Sequence, residues 1–275
     1  MKTIAKPVAK SLLPVVLAAP LLAGSVQAAD ASSFKVDYVA SLTGVPVGKL
    51  EVASAIRPKS YEIQATGRLT GVAGIFASGK GAAAAFGNLR PAAANPIASS
   101  TFQASVKLGK SGKIVRIDTN GGAVSVLNME PPMDDKPGRV PLQAAHKKSV
   151  IDPLSAFIMP LKGKDPQPDD CNRTIPVFDG GARLDIVMSY RETKQADIGN
   201  YKGPAIVCDV RYVPLAGHRP ARRVIKYMQE NRDMSVWLAR IEGSRFLVPL
   251  RVSVKTIIGT ATLEAERWTV DANSN

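Results

Sequence analysis

The chain has 275 residues, a formal net charge of +13, 45% hydrophobic residues, two cysteines and two histidines. So few cysteines and histidines, at no finger-like spacing, exclude a structural zinc site and leave few general bases. The positive excess favours anionic partners: phosphate head groups, acidic polysaccharide or nucleic acid.

The first residues read as a secretory signal peptide. Lys2, Lys6 and Lys10 form its positive region, residues 12–23 its apolar run, and Ser25-Val26-Gln27-Ala28 a small-residue site predicting cleavage after Ala28. The run is too short for a retained membrane anchor, and Pro14 and Pro20 interrupt it. No cysteine lies near the cleavage point, which excludes a lipoprotein. No other long apolar segment follows, so the expectation is a soluble periplasmic protein that does not span a membrane. That compartment sets nucleic acid aside as a partner. Without the three signal lysines, 33 basic residues face 23 acidic ones, a net charge of +10. Residues 29–275 are long enough for one β-rich domain, and no composition break calls for two.

Residues 34–39, 49–56 and 61–69 alternate apolar and polar positions between turn signals, predicting an antiparallel meander. Residues 71–96 are rich in glycine and alanine. They read as strands of small residues where a sheet curves tightly, or alternatively as a loop. Residues 99–108, 113–118 and the stretch around Val124 and Val126 continue the meander, and 129–139 reads as a surface loop.

Residues 151–159 are the best helix candidate. Asp152 suits the cap, Pro153 the first helical position, and Leu154, Phe157 and Ile158 fall on one face before Pro160 ends the run. About two turns cannot stand alone, so this face is expected to pack on the concave side of the sheet. It would act there as a lid over a ligand space or as part of an ordinary core.

Residues 173–178 and 183–190 read as a hairpin about Asp179-Gly180-Gly181. In the strand at 205–213, Ile206, Cys208, Val210 and Tyr212 share a face. Two cysteines in an exported chain predict one disulfide, Cys171–Cys208, over a metal pair or a reactive thiol. Strands are predicted at 223–229, 234–241, 246–258 and 260–270, with a turn at Glu242-Gly243-Ser244.

No motif for nucleophilic, phosphate-binding or metal-dependent catalysis is present, and no cofactor or metal is expected. Asp152, Asp179 and Asp185 are explained as cap, turn and solvated strand face. The one charge cluster holds Arg219, Arg222, Arg223 and Lys226. It suits a lipid phosphate or another anionic envelope component, or is simply a solvated loop entering an edge strand.

Four stretches together resemble the bacterial domain-of-unknown-function family 3108 in its alphaproteobacterial members. They are Val36-Asp37-Tyr38 with Gly44-Val45-Pro46-Val47-Gly48; Asp152-Pro153-Leu154-Ser155-Ala156; Thr174 to Asp185 with Phe178-Asp179-Gly180; and Tyr201-Lys202-Gly203-Pro204-Ala205-Ile206-Val207-Cys208. Gly181-Ala182-Arg183-Leu184 stands where bulkier basic residues and an aromatic are common. The resemblance implies an exported protein with no established activity, similar to open β half-barrels of the lipoprotein-carrier kind, and it carries over no catalytic residue.

The expectation is therefore an all-β protein, a single strongly curved antiparallel sheet forming an open half-barrel or spiral, with one or two short helices. Its expected role is non-enzymatic: binding a lipid-like ligand or a lipidated envelope partner in support of envelope integrity. The alternatives are a scaffold whose sheet is filled by its own side chains, and an enzyme of dispersed acidic residues. An apolar cavity open to solvent separates the first from the second, and converging carboxylates with raised pKa values would favour the third.

Overall fold

The structure, a computed structural model, describes residues 32–70, 79–90, 96–133, 137–163, 165–240 and 245–271. The expected signal peptide, the turn at 242–244 and parts of the glycine-rich region (71–78 and 91–95) lie outside the described residues.

Seven strands come first: β1 (Ser32–Leu42), β2 (Val45–Ile56), β3 (Ser60–Leu69), β4 (Gly79–Leu89), β5 (Ile97–Leu108), β6 (Ser111–Asn120) and β7 (Ala123–Glu130). A connector follows over 131–172, holding the two-residue strand β8 (Met159–Pro160). Then come β9 (Arg173–Phe178), β10 (Arg183–Ile198), β11 (Tyr201–Ala216), helix α1 (Arg223–Glu230), β12 (Met234–Arg240), β13 (Phe246–Thr256) and β14 (Gly259–Asp271).

All pair antiparallel in one sheet of order β7-β6-β5-β4-β3-β2-β1-β14-β13-β12-β11-β10-β9, with β8 beside β13. Consecutive strands are sheet neighbours except around the connector, where β8 pairs β13 and β7 and β9 lie at opposite ends of the order. The first and last strands pair in the middle, Phe34 opposite Val270 and Leu42 opposite Ala261. The sheet does not close into a barrel.

It curls nonetheless. One apolar cluster on its inner face draws Val36, Ile63, Phe102 and Ile117 from one half, and Phe178, Ala205, Leu250 and Trp268 from the other. The β9–β10 turn reaches β6 and β7. A Cβ on Gly180, whose φ is +93°, would lie 2.9 Å from Val115 Cγ1, so only glycine lets the turn approach that closely.

The connector fills one end of this inner face. Ile151 N–H donates to the Pro176 carbonyl at 2.8 Å, Phe178 N–H to the Ile151 carbonyl at 2.9 Å, and Val150 N–H to the Gly122 carbonyl at 2.9 Å. Val150, Ile151, Leu154 and Ile158 are thereby buried in the cluster.

The expected two-turn helix is corrected to a single 3-10 turn, Ser155–Phe157. Both flanks explain it: Ile151 is held along β9 and Met159–Pro160 pairs with β13, leaving room for one turn between. The strand expected at 223–229 is corrected to α1, the one α-helix among the described residues. Ile225, Tyr227 and Met228 are partly covered while Arg223, Lys226 and Glu230 face solvent, a helical spacing that a short apolar run does not separate from a strand.

The hairpin at Asp179 stands, with different chemistry. The loop holds four residues between the paired Phe178 and Arg183, and the Asp179 carboxylate itself accepts from Gly181 N–H at 2.8 Å and Ala182 N–H at 2.6 Å.

A second, smaller apolar cluster lies on the outer face of the later strands, with Met159, Leu161, Met188, Ile206, Val236 and Leu238. The disulfide Cys171–Cys208 sits within it, both half-cystines fully buried and their Cα atoms 5.5 Å apart, as expected. No helix among the described residues is long and apolar enough to cross a membrane.

Candidate functional site

The inner face is not filled throughout. At the end away from the connector, alternate residues of four adjacent strands carry little or no side chain: Ala40 on β1, Gly48 on β2, Ala65 and Gly67 on β3, Gly79, Gly81 and Ala83 on β4. Register brings them together, Leu50 opposite Gly67 and Gly67 opposite Gly81. Gly81 in turn faces Val106 of β5.

The result is a shallow apolar groove of about 420 Å³, open to solvent, floored largely by backbone and walled by Leu50, Leu69, Val106 and Leu108. Its volume falls in the range of about 300–1,000 Å³ typical of small-molecule sites. A Cβ on Gly79 would come within 2.7 Å of Leu69 Cδ1 and 3.1 Å of Leu108 Cδ1, so these two leucines close directly over bare backbone. The described part of the glycine-rich stretch, Gly79–Leu89, thus forms a strand, one of the two readings its composition allowed, and its small residues leave the space.

The filled end holds a buried polar chain. Asp152, 1% exposed, accepts from Leu154 N–H at 3.1 Å and Ser155 N–H at 2.8 Å on one oxygen, and from the Ser155 hydroxyl at 2.6 Å on the other. Tyr61 of β3 donates to that hydroxyl at 2.6 Å, and the Ser100 and Thr119 hydroxyls meet beside it at 2.9 Å. Burial raises the Asp152 carboxyl above its ordinary value, and the hydrogen bonds from Ser155 oppose the shift. Burial and the neighbouring Asp152 charge likewise push the Tyr61 phenol up. This is a clamp holding the connector against β3. Asp152 and Ser155 are buried, and both carboxylate oxygens accept hydrogen bonds.

The expected lid residues Leu154, Phe157 and Ile158 lie in the inner-face core beside this clamp and not across the groove. Of the expected anion-contact residues, Arg222, Arg223 and Lys226 are exposed about the start of α1, while Arg219 is half-buried in the loop before it. Arg223 and Lys226 line a cleft with Tyr227, Thr256 and Ile257. The Asn231 amide donates to the Lys255 carbonyl at 2.7 Å and fixes the helix against the end of β13. The described residues hold no cluster of three or more histidine, cysteine, aspartate or glutamate side chains suited to a metal.

The sequence reading missed a row of cations on the outer face, directly behind the groove. Lys49 stands opposite Arg68, Arg68 opposite Lys80, and Lys80 opposite Lys107. Each is the one cation of its own strand, so only the pairing register reveals the row.

Residues 33–266 match the family model described as "Protein of unknown function (DUF3108)". No curated protein and no solved structure matches the chain.

Proposed function

The chain belongs to the DUF3108 family of proteins of unknown function, and from that premise we propose that it is a non-enzymatic periplasmic protein. Its role in this reading is to hold the apolar chain of a lipid-like ligand, or of a lipidated envelope partner, in the inner-face groove.

The observation that carries this reading is the side-chain-free floor. Seven glycines and alanines on adjacent strands leave an apolar trough where leucines would have made an ordinary core. Burying apolar ligand surface there is favourable at about 25 cal/mol per Å² before the costs of ordering. The enclosed position of Asp152 favours binding over catalysis, because the one carboxyl raised by burial among the described residues lies outside the groove. The connector buried in the other end of the inner face favours the rival, a scaffold filled by its own side chains.

Native mass spectrometry of protein from its own periplasm, followed by organic extraction and lipid analysis, distinguishes the two. The expected result is a stoichiometric lipid adduct, and a bare mass under gentle conditions would support the scaffold.

Gly67→Leu supplies the control. Its Cβ would meet nothing closer than 3.5 Å, so the variant is expected to fold with little change in Tm while losing the adduct. An adduct retained in full by this variant would place the ligand elsewhere.

A further inference from the structure

We propose that the groove end of the sheet is a docking surface for an anionic lipid bilayer. The first observation is the cation row. Like charges directly opposite one another on neighbouring strands destabilise a sheet, and here three such pairs run in sequence across four strands. All four side chains are exposed. Lys49 reaches Glu266 at 3.3 Å, but Arg68, Lys80 and Lys107 make no ion pair among the described residues. The acidic groups nearby, Asp37, Glu51 and Glu266, lie toward β1, β2 and β14, where Lys35 meets Glu51 at 2.8 Å. The unbalanced charge is therefore concentrated on β3 to β5.

The second observation is independent of charge. The strand tips at this same end present large apolar side chains to solvent: Val45 starting β2, Leu108 ending β5 at 57% exposed, and Ile258 in the β13–β14 turn at 71% exposed. The β1–β2 and β13–β14 turns are adjacent, Thr43 N–H donating to the Thr260 carbonyl at 2.7 Å. Arg68, Lys80 and Lys107 each lie within one residue of the strand end, and α1 brings Arg223 and Lys226 beside Ile257.

Exposed apolar tips ringed by cations match the two layers of an anionic membrane surface, acyl boundary and phosphate. A soluble phosphate would use the cations and leave the tips unexplained, and an acidic protein surface would do the same. The proposal stands on the outer face and the tips, so it does not depend on the groove being occupied.

The test is flotation of the mature chain with vesicles of equal parts phosphatidylglycerol and phosphatidylcholine, against vesicles of phosphatidylcholine alone, at low and high salt. The expected result is binding to the anionic vesicles only, weakened by salt. The Arg68→Glu/Lys80→Glu/Lys107→Glu variant should bind at least roughly tenfold more weakly, as should Val45→Ser/Ile258→Ser, whose side chains lie outside the groove. Gly67→Leu should bind like the wild type, which separates this proposal from occupancy of the groove.

Equal binding to both vesicle types, or binding unchanged in the charge-reversed variant, would overturn the proposal. A thermal melt guards against misfolding. Lys80→Glu alone, set between Arg68 and Lys107, should raise Tm by roughly 1–3 °C at low salt, because two repulsive pairs become attractive.

Discussion

Asp152→Ala is expected to destabilise the protein by roughly 3–4 kcal/mol, measured by urea denaturation. The substitution removes the acceptor for two backbone N–H groups and for the Ser155 hydroxyl, all within the packed inner face. It also frees the Tyr61–Ser155 contact from its terminal acceptor. Buried donors left without partners cost more than the hydrogen bonds were worth while made.

Asp152→Asn keeps one acceptor oxygen and should cost less, and its pH dependence is informative. Because burial raises the native carboxyl above its unfolded value, the native state binds the extra proton between those two values. The corresponding stability is present in full below the unfolded pKa and is lost as pH rises through the folded one. The advantage of wild type over Asp152→Asn should therefore shrink as pH is raised from about 4 toward neutrality. A gap that widened over that window would mean the hydrogen bonds outweigh burial and hold the carboxyl below its ordinary value.

Cys171→Ala with Cys208→Ala is expected to cost about 4 kcal/mol on the chain-entropy account of a crosslink between residues 37 apart. The bridge ties the chain just before β9 to β11, across the intervening β10. Asp170 prepares the first half-cystine: its carboxylate accepts from Lys162 N–H and Gln167 N–H, each at 2.8 Å, and so shapes the turn that delivers Cys171. The denaturation midpoint of wild type should fall on adding reductant to the unfolded chain, and that of the double variant should not. Equal midpoints for the oxidised wild type and the double variant would show that the second cluster holds this corner without the crosslink.

Much of this architecture was legible because antiparallel strands with one covered face write their burial into alternating residues. The runs around Val36, Ile63, Phe102 and Val252 all read as strands and are strands. The cap at Asp152 was legible from its own chemistry, whereas the length of what it caps was not. A 3-10 turn and a two-turn helix begin alike, and the pull of β9 on Ile151 and of β13 on Met159 is a tertiary force. The run from Arg223 failed for a related reason, since a few apolar residues in eight satisfy either period.

The groove was half legible: glycine and alanine marked where side chains are missing, but not which face or end of the sheet lacks them. Lys49, Arg68, Lys80 and Lys107 were illegible as a group, because a cross-strand row exists only once register is known.

The pairing of β1 with β14 also sets the order in which the molecule can be completed. Strands β1 to β7 form a meander of local contacts, and β9 to β14 form another, so each can assemble from near neighbours. The seam joins Phe34 to Val270, almost the full span of the chain, and is the costliest loop to close. Until the last strand is delivered, the first presents an unpaired edge carrying Phe34, Val36 and Tyr38. The interval between synthesis of the two ends is thus the period in which a newly made chain is most exposed to pairing with a second copy of itself.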